Sequence, residues 1–162
     1  MKNFVYYYLS LLPIMFGLLY WDISPLAEFV NHYQTKMLLF FLDMGLKDGQ
    51  LQGIDIMISS HYKVIITKAC NGMIPYLVLL SAILAYPASW PHRFLWAAIG
   101  YVILVLVNIA RLFIVVFYVT KTPSNFELAH DMFGNFLFMI SGLALFYLFL
   151  KGSRRSLQEF ST

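Results

Sequence analysis

The sequence has few charged residues for its length. Only 12% of its 162 residues are charged, and 60% are hydrophobic, whereas an ordinary soluble domain is about 25% charged and about 45–50% apolar. A small soluble domain keeps much of its surface in water, and that surface needs polar side chains. The composition therefore excludes a soluble globular enzyme and a disordered protein. It predicts a single integral membrane domain over residues 1–162.

Cysteine is also scarce. The only one is Cys70, which excludes an intramolecular disulfide and a metal site built from several thiolates. The four histidines lie on different predicted elements, and no two of them have the i, i+4 spacing of metal ligands. We therefore expect no metal and no cofactor, and a haem or metal membrane protein is disfavoured. The net charge of +3 is mild and forms no basic stripe, so we expect no nucleic-acid partner.

Long apolar runs make up most of the chain. They predict about four transmembrane helices, each needing about 20 residues, over approximately 4–21, 72–90, 93–120 and 131–150. The first run could instead be a cleaved signal peptide. Residues 21–25 contain no small-x-small cleavage site, so we predict that this helix is retained.

The segment between the first two runs has two different patterns. Over residues 26–46, apolar side chains recur at spacings of three and four, which predicts an amphipathic helix. Its stripe is expected to face the lipid interface or to pack on the other helices, and a tilted span is the alternative. The stripe comprises Leu26, Val30, Tyr33, Met37, Phe40 and Met44, and the positions off it are Glu28, Asn31, Gln34 and Thr35.

In residues 50–68, apolar and polar side chains first alternate in part, and β-branched side chains then become frequent. A turn-like sequence lies between the two parts, at residues 59–61. This pattern predicts a β-hairpin. Its open edge needs water or protein partners, so it should lie outside the hydrocarbon. The predicted fold class is an all-α polytopic membrane protein with an interfacial amphipathic helix and a small β-hairpin on the non-cytoplasmic side.

The positions of the basic residues predict the orientation. Lys2, Arg93 and the group Lys151, Arg154 and Arg155 flank the predicted spans, and the positive-inside rule assigns them to the cytoplasm. The long segment 21–72 and the loop 121–130 then lie on the other side of the membrane.

Cys70 lies at the predicted outer start of the second span. Proline is tolerated in a helix only in its first turn, so Pro75 predicts a helix start near Asn71 or Gly72, with Cys70 just before it. Free backbone N–H groups and the helix dipole favour a thiolate there, and Lys68 adds to this effect. The alternative is an inert, buried cysteine that acts as a small hydrophobe.

Apart from Arg93 at its start, Arg111 is the one charged residue of the third span. It follows Arg93 by 18 residues, or about 27 Å of helix, which puts it in the outer half of the membrane. An arginine near the bilayer centre costs about 2.5–3.5 kcal/mol and normally faces a polar cavity; snorkelling to the outer surface is the alternative. Asn108, three positions earlier, shares its helical face. His130 opens the last span on the same side and could also be an ordinary interfacial histidine.

The predicted topology brings Cys70, Arg111 and His130 together near the outer leaflet. These three residue types suffice for acyl transfer, in which a thiolate attacks a carbonyl carbon, a histidine moves protons and an arginine stabilises the oxyanion. Asn71 and Asn108 are candidate hydrogen-bonding residues beside them, with helix capping and helix packing as the alternatives.

The Ala-Cys-Asn-Gly stretch at residues 69–72, the Asn-x-x-Arg at residues 108–111 and the later His130, in this order, resemble the exosortase/archaeosortase family over about residues 60–150. The resemblance implies a membrane cysteine enzyme with Cys70 as nucleophile, His130 as general acid and base, and Arg111 as oxyanion or thiolate stabiliser. It implies protein substrates that carry a C-terminal motif, a transmembrane helix and a basic tail. Many family members are longer, which leaves the motif and the oligomeric state open.

The leading hypothesis is therefore a sortase-like transpeptidase or protease of the plasma or inner membrane. Its active site would face the periplasm or exterior, it would contact membrane lipids, and it would act through a thioester on Cys70. The alternative is a non-enzymatic membrane scaffold or accessory subunit in which Cys70 and Arg111 are structural. Active transport is disfavoured, because there is only one deep charge and no pair of broken helices.

Overall fold

The computed structural model describes residues 2–121 and 134–159 of the chain. Helices dominate this part, as predicted, and a small sheet interrupts them. The elements in chain order are α1 (Lys2–Leu19), α2 (Pro25–Gly45), β1 (Leu51–Gln52), β2 (Asp55–Ser59), β3 (Tyr62–Ile65), a 3₁₀ turn (Lys68–Cys70), α3 (Met73–Ala85), α4 (Trp90–Lys121) and α5 (Gly134–Glu159).

The sheet has one strand more than the predicted hairpin. Strands β2 and β3 pair antiparallel and Ser59 pairs with Tyr62, so the turn lies where the sequence indicated it. Strand β1 adds to the free edge of β2 through the pair Leu51 and Ile56, which makes a three-stranded sheet in the order β1-β2-β3. The sequence did not predict β1, because a strand of two residues is too short to show alternation.

Helix α2 forms over nearly the predicted range, and the Ser24 side chain caps its start by accepting from the Ala27 amide at 3.0 Å. Most of its predicted apolar stripe is exposed, however, including Tyr33 and Phe40, whereas Val30 packs on the cluster of Tyr20, Met73 and Leu77. The hydrocarbon of a bilayer solvates apolar side chains, while buried carboxamides need hydrogen-bond partners that only the protein supplies. The face that packs inward comprises Ala27, Asn31, Gln34, Leu38 and Leu42.

Two helices of the described part are long and apolar enough to cross a membrane, namely α4 and the Gly134–Ser153 part of α5. Helices α1 and α3 are shorter apolar helices. The predicted helix over residues 72–90 extends too far at its C-terminal end, since α3 stops at Ala85. Tyr86 is extended, with φ −79° and ψ 136°, because a residue that precedes a proline, here Pro87, is disfavoured in the helical region.

Helix α4 begins at Trp90, earlier than the predicted start at residue 93. Pro91 lies in its first turn, where a proline costs no hydrogen bond. Arg93 therefore lies inside the helix and not in a turn, and its guanidinium carbon is 4.9 Å from the centre of the Trp90 ring. At the other end of the chain, α5 runs beyond the predicted residue 150 to Glu159.

Helix α3 packs against α1, α4 and α5, while α2 and the sheet pack against α4. Gly100 permits the close approach of α3 and α4, because a Cβ there would lie 2.8 Å from a methyl carbon of Leu79. One core cluster joins α2, the sheet and the C-terminal half of α4, and Cys70 belongs to it. The buried members are Leu38, Leu42, Ile56, Val64, Ile66, Cys70, Leu112, Val115, Val116 and Val119.

Candidate active site

Cys70 ends the 3₁₀ turn that connects the sheet to α3. Its backbone N–H donates to the Thr67 carbonyl oxygen at 2.9 Å, and its side chain is 9% exposed. Helix α3 begins at Met73, so Pro75 falls in the first turn, as predicted. The site thus has a cysteine close to a helix start, on a turn of fixed conformation.

Gly72 makes the tight connection from this turn into α3. Its φ of +78° lies in the left-handed region, where side chains are unfavourable. A Cβ at this position would also lie 3.1 Å from the Asn108 carboxamide. The backbone beside Cys70 therefore packs directly against α4.

Asn108 joins the cysteine turn to Arg111. Its Nδ2 donates to the Cys70 carbonyl oxygen at 2.8 Å, and its Oδ1 accepts from Arg111 Nη1 at 3.4 Å. The side chain is 1% exposed. A buried carboxamide is costly unless it is hydrogen-bonded. Here the Nδ2 and Oδ1 atoms of Asn108 are both hydrogen-bonded, one to Cys70 and the other to Arg111.

Arg111 lies inside the bundle and does not snorkel to its surface. It is 5% exposed, and its guanidinium carbon lies 5.2 Å from the centre of the Phe138 ring on α5. The first residue of α5, Gly134, is in close contact with it, since a Cβ there would clash with Arg111 Nε. Helix α5 therefore begins against the arginine.

The structure thus brings together four of the five predicted site residues, which are Cys70, Asn71, Asn108 and Arg111. The fifth, His130, lies outside the described residues.

Asn71 is the centre of a carboxamide cluster that the sequence analysis did not identify. Its Oδ1 accepts from the Met73 amide at 2.9 Å, which satisfies the first N–H of α3, and its Nδ2 donates to Asn31 Oδ1 at 2.9 Å. Gln34 Nε2 donates to the Asn71 carbonyl oxygen at 3.1 Å, and the Tyr101 hydroxyl donates to Gln34 Oε1. The available signal in the sequence was the spacing of three residues between Asn31 and Gln34, which places both carboxamides on one face of α2.

Lys68 makes two contacts that the sequence did not predict. Its ammonium forms an ion pair with Asp22 at 2.6 Å and lies 5.1 Å from the centre of the Tyr20 ring. It ties the α1–α2 connection to the cysteine turn. Burial raises the pKa of the Tyr20 hydroxyl, and the charge of Lys68 partly offsets this effect. The Thr67 hydroxyl lies near the thiol, with its Oγ1 3.7 Å from Cys70 Sγ.

Comparison with known proteins gave one finding. A family model described as transmembrane exosortase matches residues 3–147. No curated protein and no solved structure matches the chain. The matched range includes Cys70, Asn71, Asn108, Arg111 and His130.

Proposed function

The chain belongs to the transmembrane exosortase family, and from this premise we propose that it is a membrane cysteine transpeptidase or peptidase. Its substrates are exported, membrane-tethered proteins that end in a short motif, a transmembrane helix and a basic tail. The observation that carries the proposal is the bridge through Asn108, which hydrogen-bonds to the backbone of Cys70 and to the guanidinium of Arg111. A nucleophile and a cation that stabilises negative charge are the two groups that acyl transfer needs most.

In the first half-reaction, the Cys70 thiolate attacks the carbonyl carbon of the scissile peptide bond. The carbonyl oxygen becomes an oxyanion, and Arg111 stabilises its charge. The tetrahedral intermediate collapses, the C–N bond breaks, and the leaving amine takes a proton from His130. The N-terminal part of the substrate is then joined to Cys70 as a thioester.

In the second half-reaction, an acceptor attacks the thioester carbon while His130 accepts its proton. The C–S bond breaks and the Cys70 thiolate is regenerated. An amine or hydroxyl acceptor gives transpeptidation, and water gives hydrolysis.

The assignment of His130 is supported by the connectivity of the chain. It precedes Gly134 by only four positions, and Gly134 is in close contact with Arg111. Four residues span at most about 14 Å even when fully extended, so a role for His130 beside Arg111 requires no long connection.

We further propose that α1, α3, α4 and α5 all span the membrane, and that the end carrying Cys70 faces the periplasm or exterior. Arg111 then lies where water is scarce, and an oxyanion is stabilised more strongly by a fixed charge in such an environment than in water. The basic residues at the opposite end, Lys2, Arg93 and Lys151, agree with a cytoplasmic location.

A thiol-labelling experiment distinguishes this enzyme from a scaffold. Because Cys70 is the only cysteine, a small, membrane-impermeant methanethiosulfonate reports on it alone. We expect labelling at pH 7 from the exterior, slowed about 3- to 10-fold in Arg111→Gln, which corresponds to a loss of about 1 kcal/mol of charge stabilisation.

Arg93→Gln is the matched control, since it removes the same charge from the other end of α4. An unreactive Cys70, or equal rates in the two arginine variants, would favour the scaffold over the enzyme.

A further inference from the structure

We propose that two carboxamides of α2, Asn31 and Gln34, are positioning residues for Cys70. They act through Asn71 and hold the cysteine turn in the orientation that attack on a carbonyl carbon requires. This inference rests on the proposed function, because it assigns α2 a part in the same site.

The first observation is that two consecutive backbone carbonyls of the turn are held by carboxamides from two different helices. Asn108 of α4 donates to the Cys70 carbonyl oxygen at 2.8 Å, and Gln34 of α2 donates to the Asn71 carbonyl oxygen at 3.1 Å. Peptide units are planar, so fixing two consecutive carbonyls fixes the two peptide planes that follow Cys70. Together with the bond from the Cys70 N–H to the Thr67 carbonyl oxygen, this restricts the direction of the Cys70 Cα–Cβ bond.

The second observation is that Asn31 connects this turn to the end of α1. Its Oδ1 accepts from Asn71 Nδ2 at 2.9 Å. Its Nδ2 donates to the Ala27 carbonyl oxygen at 2.8 Å and to the Tyr20 carbonyl oxygen at 3.1 Å. Both ends of the carboxamide are used, and the turn, α2 and the α1–α2 connection are held at one point.

The third observation is the location of these side chains. Asn31 and Gln34 are both buried, on the same face of α2 as the apolar residues Ala27, Leu38 and Leu42. Apolar side chains provide packing on that face without the desolvation cost of a carboxamide. Both carboxamides bond to Asn71, the residue that directly follows Cys70, which argues for a role in orientation beyond packing.

The consequence for the reaction is geometric. Cys70 Sγ and the Arg111 guanidinium must be aligned on the same carbonyl group, and a displacement of about 1 Å in such a site costs about 10²-fold in rate. Release of the turn from α2 misaligns the nucleophile without removing any reacting group.

The test uses the full-length chain with Asn31→Leu and Gln34→Leu, and measures two quantities. One is the processing rate of a co-expressed reporter fused to a C-terminal motif, helix and basic tail from a protein of the same genome. The other is the rate at which iodoacetamide alkylates Cys70 in the purified protein. We expect processing to fall about 10- to 100-fold, while alkylation becomes several-fold faster because the released turn exposes a thiol that is now 9% exposed.

Two controls separate positioning from folding. Lys36→Gln changes an exposed polar residue on the same helix and should leave both rates unchanged. Ile83→Ala removes buried volume from α3 in a cluster that does not include Cys70, so both rates, expressed per amount of folded protein, should equal those of the wild type. Tyr101→Phe removes only the hydroxyl that donates to Gln34 and should give a smaller loss of processing with the fold intact.

The proposal is overturned if, per amount of folded protein, Asn31→Leu and Gln34→Leu match Lys36→Gln and Ile83→Ala in both rates. If the wild-type chain leaves the reporter uncleaved, the proposed function fails. In that case the alkylation rates, which need no substrate, test the positioning proposal by themselves.

Discussion

Replacement of Cys70 by alanine is expected to abolish processing of the reporter while the chain still inserts and folds. In the proposed mechanism the Cys70 thiolate is the attacking group, and without it no thioester forms. Loss of a nucleophile in enzymes of this type lowers the rate by about 10⁴- to 10⁶-fold. Removal of a single sulfur atom from a site that is 9% exposed costs only about 1 kcal/mol of stability. The measurement is the ratio of cleaved to intact reporter, normalised to the amount of folded enzyme.

Two further variants complete this experiment. Cys70→Ser keeps the shape of the side chain but supplies a hydroxyl that is far less ionised than a thiol, so processing should remain near the background level. Ser60→Ala, an exposed change between β2 and β3, should process normally. Full processing by Cys70→Ala would exclude the proposed mechanism.

Replacement of Arg111 by glutamine is expected to lower processing about 10²- to 10³-fold, the usual cost of removing one group that stabilises an oxyanion. Glutamine is neutral, so the variant does not leave an uncompensated buried charge, and the fold should persist. Arg111→Lys keeps the charge but has no planar fork to contact both Asn108 and the Phe138 ring, and we expect it to recover only part of the rate.

Arg93→Gln is the matched control for this prediction. It removes an arginine from the same helix at the end remote from Cys70, and its processing rate should stay within about twofold of the wild-type rate, as for surface changes away from a site. Equal losses in Arg93→Gln and Arg111→Gln would contradict a specific role for Arg111.

The parts of the site that follow local helix rules could be predicted from the sequence. Pro75 indicated where α3 begins and therefore where Cys70 lies, since proline fits only a first helical turn. The spacing of three between Asn108 and Arg111 indicated a shared face, and the two side chains are in contact. The cost of an arginine in the membrane indicated that Arg111 faces the protein interior.

Features that depend on long-range packing could not be predicted in this way. The ion pair between Lys68 and Asp22 joins residues 46 positions apart, and no local pattern indicates it. The inward face of α2 was not identified because an apolar stripe normally marks the buried face of a helix in water, whereas the buried face of α2 is the one that carries Asn31 and Gln34. Strand β1 is too short for its sequence to specify it.

Detection of the thioester on Cys70 tests the central claim most directly. The reporter is incubated with the wild-type chain, the reaction is stopped in acid, and the peptide that contains Cys70 is analysed by mass spectrometry with and without neutral hydroxylamine. We predict an adduct of the N-terminal reporter fragment on Cys70 that hydroxylamine releases as the hydroxamate and that is absent from Cys70→Ala. Reporter cleavage that continues at the full rate with Cys70 unmodified and hydroxylamine without effect would contradict the mechanism.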